Sequence, residues 1–122
     1  VCTEGELDGS HPRGFGTFTR IMGRYVRDQH VMPLEEAIRK ATSLAASNVG
    51  IVDRGRIAVG AYADLVLFDP TTIIDRATPT EPHLVSTGVR RVWVNGAVVY
   101  EGEHATDARP GRVLKRVVVA AR

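Results

Sequence analysis

The stretch Pro33-Leu34-Glu35-Glu36-Ala37-Ile38-Arg39-Lys40-Ala41-Thr42-Ser43-Leu44-Ala45-Ala46-Ser47-Asn48-Val49-Gly50 marks where the chain changes character. Pro33 suits the first position of a helix, where its missing N–H costs nothing. Glu35 and Glu36 then stand in the first turn, where carboxylates meet the positive end of the helix dipole. Leu34, Ala37, Ile38, Ala41 and Leu44 make one apolar stripe at helical spacing, and Asn48 and Gly50 supply the stop. One amphipathic helix is predicted, with its stripe facing a core.

Downstream of Gly50 the period becomes that of strands. Ala63 to Asp69 is a short apolar run closed by Asp69-Pro70, which predicts a buried strand. Val89–Val94 and Ala97–Glu101 flank Asn95-Gly96, and that dipeptide favours the positive φ angles of a type I′ turn. A hairpin is predicted there. Val113 to Ala121 is left as a last strand or a tail. Upstream of Pro33 the pattern is again helical, with Phe18, Ile21, Met22, Tyr25 and Val26 on one side. The opening Val1-Cys2-Thr3 reads as a strand, so the first part resembles a βα unit and the second a small sheet whose edges need covering.

The segment Thr3 to Gly16, between that strand and the helix, carries most of the chemistry-bearing residues. It holds Glu4, Glu6, Asp8, His11, Arg13 and four glycines. Loops that leave the C-terminal ends of strands in α/β folds are where sites are built. Glycines allow a ligand to approach the backbone, and His-Pro-Arg presents one base beside one anion-binding fork. A polar loop whose glycines only serve turns has the same composition, so both readings stand at this point.

Composition narrows the function classes. The 122 residues are 43% hydrophobic, enough for a core. Sixteen basic against fourteen acidic residues leave a net charge of +2, too small to argue for nucleic acid. Arg109, Arg112, Lys115, Arg116 and Arg122 form the one basic concentration, and a solvated terminus accounts for it. Cys2 is the single cysteine, which excludes an internal disulfide and fits a reducing, cytoplasmic setting. No apolar run approaches the ~20 residues of a membrane span. His11, His30, His83 and His104 make no metal-binding pair, and only Cys2, Glu4 and His11 cluster in sequence. No zinc ligand set of three or four donors is predicted on this chain.

His11-Pro12-Arg13, Gly16-Thr17-Phe18, Arg20 and Gly23-Arg24-Tyr25-Val26-Arg27 together resemble the N-acyl-D-amino-acid deacylases (D-aminoacylases) of the metal-dependent amidohydrolase superfamily. The likeness continues in order through Leu34–Thr42, Asp53-Arg54-Gly55, Gly60, Ala63-Asp64-Leu65-Val66, Phe68-Asp69-Pro70, Ile74, Asp75, Ala77-Thr78, Val94-Asn95-Gly96 and Ala108–Arg112. Ala-Asp-Leu-Val and Val-Asn-Gly mark only the superfamily, whereas His-Pro-Arg to Tyr-Val-Arg is more specific.

The resemblance implies an α/β plus β architecture. Residues 1–49 would be the last βα unit of a (β/α)8 barrel, with its active-site loop and closing helices. Residues 50–122 would be the C-terminal part of a small β-sandwich domain. A barrel takes ~250 residues, so the chain is expected to be the C-terminal segment of a larger hydrolase, inactive alone. The implied reaction is zinc-dependent hydrolysis of the amide of an N-acyl-D-amino acid. Zinc belongs to the full-length enzyme, its Cys and His ligands lying upstream. Glu4 stands where the family carries the aspartate that moves the proton, with Asp8-Gly9 as another match. One added methylene displaces a carboxylate by ~1 Å, and such a shift can cost ~10²-fold. Arg13 would bind the substrate carboxylate and His11 would shape the same loop. Ala45 departs from the Pro common in relatives. The competing reading is a non-catalytic β module that pairs with a second copy or another protein through its open edges. Whichever holds, neither nucleic acid nor membrane is an expected partner.

Overall fold

The computed structural model describes residues 9–115. Helix α1 (Arg13–Arg20) continues into a π-helical segment (Ile21–Asp28), followed by α2 (Leu34–Ala41) and α3 (Ser43–Val49). Four strands come next, β1 (Leu65–Phe68), β2 (Val89–Val94), β3 (Ala97–Glu101) and β4 (His104–Ala105), side by side in that order. The described residues fall into two compact units. One comprises residues 9–38 with Phe68–Val89, the other Arg39–Leu67 with residues 90–115.

In the first unit, α1 is a poor helix former by composition, with Gly14 and Gly16 among eight residues. Its first turn closes through Gly14 N–H to His11 O, and Phe15 and Gly16 N–H to Pro12 O. Thr17 and Thr19 hydroxyls donate back to the carbonyls of Arg13 and Gly16. The segment after Arg20 widens, and Gln29 N–H reaches Arg24 O, five residues back, at 3.0 Å. Val26, Ala37, Ile73 and Ala77 are the buried apolar side chains among the described residues, and all four belong to this unit.

Ile73 is the residue around which the returning segment is fitted. A Cβ on Gly23 would lie 2.2 Å from Ile73 O, and one on Gly88 would lie 2.4 Å from Ile73 Cα. Gly88 also has φ +85°, a left-handed conformation. The Arg27 guanidinium donates to the carbonyls of Ile73 (2.8 Å) and Thr71 (3.2 Å). Asp69 turns the chain into this seat, its Oδ1 accepting from Thr71 N–H and Oγ1.

In the second unit the expected hairpin forms. Asn95 (φ +50°) and Gly96 (φ +82°) both have positive φ, as a type I′ turn requires. Arg91 faces Glu101 and forms an ion pair with it, and a bulge interrupts the register between Val92 and Trp93. Arg54 ties the loop before β1 to the hairpin. Its guanidinium pairs with Asp64, donates to Asn95 Oδ1 at 2.5 Å, and lies 4.2 Å over the Tyr62 ring. Asn95 in turn donates from its backbone N–H to Asp64 Oδ1 and from Nδ2 to Pro110 O.

Three expectations need correction. The helix predicted over Pro33–Val49 is two helices, broken at Thr42 with φ −124° and ψ −90°. The strand around Leu65–Phe68 is not buried, because Val66 and Leu67 are 57% and 51% exposed. That run is apolar on both faces, yet no described residue of its unit falls in the buried class. The helical stripe is also only partly interior, with Val26 buried and Phe18 and Tyr25 exposed. Val113–Lys115 is not strand, and the rest of the tail lies outside the described residues, as do the leading strand and Cys2.

Candidate functional site

A cavity of about 400 Å³ opens in the first unit, lined by His11, Pro12, Arg13, Gly16, Thr17, Arg20, Asp75 and the Ala77–Pro79 turn. The His-Pro-Arg step forms one wall. Pro12 precedes the first turn of α1, and the Arg13 backbone N–H donates to His11 Nδ1 at 3.1 Å. With Nδ1 accepting, the proton of the neutral ring resides on Nε2. Both His11 and Arg13 are exposed side chains at the cavity wall.

The opposite wall comes from the returning segment. Asp75 accepts from Arg20 Nε at 2.8 Å and from Arg20 Nη2 at 2.6 Å, both on Oδ2. The Asp75 side chain is 7% exposed and that of Arg20 is 41% exposed, so the carboxylate is set into the wall and the guanidinium lies over it. Gly16 allows this, because a Cβ there would lie 2.8 Å from Asp75 Cβ. Two further contacts fix the same face of α1. Ser86 Oγ lies within hydrogen-bond distance of both Phe15 O (3.1 Å) and Thr19 Oγ1 (2.6 Å). His83 donates from Nε2 to Gly9 O at 3.1 Å, with its ring 5.2 Å from that of Phe15.

The structure therefore brings His11 and Arg13 to one cavity, and Glu4 and Asp8 lie outside the described residues. Arg20 and Asp75 were legible only as parts of the deacylase likeness. They are 55 residues apart, so no local spacing could pair them. No three His, Cys, Asp or Glu side chains converge on one point among the described residues. The described residues do not fit the zinc ion that the likeness implies. No helix among them is long and apolar enough to cross a membrane.

Residues 8–100 match the model of the amidohydrolase family. An N-acyl-D-glutamate deacylase and a D-aminoacylase of Alcaligenes xylosoxydans xylosoxydans are 50% and 45% identical over 106 residues. Each alignment takes in 87% of this chain and 22% of the relative. The chain thus spans about a fifth of the length of the curated relatives it matches. A crystal structure of D-aminoacylase superposes with a TM-score of 0.85 at 47% identity, over 87% of this chain and 22% of that one. The N-acyl-D-glutamate deacylase of Bordetella bronchiseptica, solved with zinc and a phosphonate mimic of the tetrahedral intermediate, gives 0.80 at 50% identity, over 85% and 22%. With three quarters of its length on the family pattern, the chain belongs to the amidohydrolase family, and it is similar to the C-terminal fifth or so of these deacylases.

Proposed function

We propose that this chain supplies the carboxylate-recognition end of a zinc-dependent hydrolase that cleaves the amide of N-acyl-D-amino acids. The observation that carries the reading is the joining of His11 and Arg13 in one cavity, on a chain about half identical to deacylases of that class. The Arg13 guanidinium offers two parallel N–H donors to a substrate carboxylate. His11, with Nδ1 engaged by the Arg13 amide, offers its Nε2–H beside them. Together they would hold the amino-acid end of the substrate, so that the amide stands at a fixed distance from the reacting groups.

In this reading residues 1–49 are the last βα unit of a (β/α)8 barrel and residues 50–122 the C-terminal part of a small β domain. Glu4 is the proton-transfer carboxylate in place of aspartate. Residues other than the described ones would hold the zinc, which would supply carbonyl polarisation and water activation when bound. These 122 residues alone turn over no substrate, and the remainder of a barrel or a second copy covers the open sheet edges.

The test compares N-acyl-D-amino acids with their carboxamides. In the full-length enzyme, Arg13→Ala is expected to raise KM for the carboxylates about 10²-fold, a loss of ~3 kcal/mol for one charge-assisted pair, and to change the carboxamides little. Equal effects on both would remove Arg13 from the binding site.

A further inference from the structure

His83 takes no part in lining the cavity, yet it holds both flanks of the His11-Pro12-Arg13 step. Its Nε2–H donates at 3.1 Å to the carbonyl of Gly9, just before that step. Its ring lies 5.2 Å from that of Phe15, just after it. The contact to Gly9 joins residues 74 apart in sequence, so it is no part of a local turn. The step is closed internally, by Arg13 N–H on His11 Nδ1 and Gly14 N–H on His11 O. Those bonds give it a shape, but they do not anchor it to the rest of the unit.

His83 also belongs to the opposite wall. Thr78 and Pro79 line the cavity, in a turn closed by Thr78 N–H on Glu81 O (3.1 Å) and Glu81 N–H on Thr78 Oγ1 (3.0 Å). His83 follows directly on that turn and reaches back across to Gly9. Further along, Ser86 Oγ lies against Phe15 O and Thr19 Oγ1, so the backbone that carries His83 is itself fixed on α1. One side chain thus joins the returning segment to the start of α1.

We propose that His83 is a positioning residue, which sets the spacing of the two cavity walls and so places His11 and Arg13 against a bound carboxylate. It touches no substrate and acts through the step it holds. The inference rests on the reading of Arg13 as the residue that meets the carboxylate. One neutral hydrogen bond at an exposed side chain is a modest tie, so the effect is several-fold rather than hundredfold.

The experiment measures kcat and KM of the full-length enzyme for the N-acetyl-D-amino acid it turns over fastest and for the carboxamide of that substrate. His83→Phe keeps a ring against Phe15 and removes the N–H, whereas His83→Gln keeps an amide N–H close to the position of Nε2. His83→Phe is expected to raise KM for the carboxylate about fivefold, with its kcat and both carboxamide constants within about twofold of the parent. His83→Gln is expected to stay within about twofold throughout. In an Arg13→Ala background His83→Phe is expected to add less than about twofold, because a residue acting through Arg13 then has nothing left to place. The proposal is overturned by an unchanged KM, by equal effects on both substrates, by a Gln variant as poor as the Phe one, or by the full fivefold effect persisting without Arg13. Should His83→Phe fail to fold, His83→Ala carries the same comparison with the same outcomes. Arg13→Ala alone separates the two levels. If it affects carboxylate and carboxamide alike, the carboxylate reading fails and this inference with it. If it discriminates between them while His83→Phe does not, only the present inference fails.

Discussion

Arg54 concentrates more of the second unit's polar bonding than any sequence cue suggested. Its side chain is 9% exposed, and it binds Asp64 and Asn95 while lying over Tyr62. Replacing it with Ala is expected to cost about 2 kcal/mol in chemical denaturation. Breaking a fully buried pair costs ~3–5 kcal/mol, and the partial exposure of Asp64 reduces that. Burial acts to raise the Asp64 carboxyl, but the Asn95 amide and the Arg54 guanidinium outweigh it and hold the group below its ordinary value. A depressed carboxyl binds protons more weakly folded than unfolded. Its stabilisation is therefore present above the unfolded pKa of ~3.9 and is lost as pH falls through the lower folded one. Thermal midpoints followed downward from pH ~5 should fall less steeply in Asp64→Asn than in the parent, and parallel curves would refute this assignment. Asp64, like Arg54 and Asn95, was visible in the sequence as part of the superfamily likeness. Their mutual bonding was not, because 10 to 41 residues separate the partners.

At the scale of elements, local chemistry decided what could be read. The β2–β3 hairpin was legible because Asn95-Gly96 is a two-residue instruction that needs no distant partner. The helix stop at Gly50, which adopts φ +77°, was legible for the same reason. The break at Thr42 was hidden, since the residues on either side all favour one continuous stripe. The π-helical segment Ile21–Asp28 was hidden too. Helical periodicity located it, but nothing in periodicity distinguishes a wide turn from an ordinary one. The seat of Ile73 is the strongest test of how these elements fit. Gly88→Ala adds a Cβ at positive φ and drives it against the Ile73 backbone. Left-handed strain of ~1–2 kcal/mol and overpacking of ~1–3 kcal/mol together predict a loss of about 2–5 kcal/mol in denaturant unfolding. A loss under ~1 kcal/mol would show that the segment moves aside to make room.

For the whole molecule, the cavity was only half legible. His11 and Arg13 sit in one tripeptide and declare themselves, whereas Asp75 arrives from the far side of α2, α3 and β1. The apolar surface was misread in the other direction, because a hydrophobic run does not say whether a covering layer is at hand. Ile57 and Val59 are 92% and 109% exposed, so neither contributes to a core within these residues. Replacing both with Lys is expected to raise solubility and leave the melting temperature within about 2 °C, as surface changes generally do. A clear drop in melting temperature would place them in contacts that the described residues do not make.

The path of the chain between its two units carries one more consequence. It leaves the first unit after Ile38, builds part of the second, and returns at Phe68 before departing again after Val89. During synthesis Val26 and Ala37 emerge long before Ile73 and Ala77, the other half of the same buried set. The first unit must wait, exposed, until Gly88 has left the ribosome and closed over Ile73. The nascent chain is therefore most vulnerable to proteases and most in need of a holding chaperone while residues 39–88 are being made, and synonymous changes that slow translation there should lower yield without altering the finished protein.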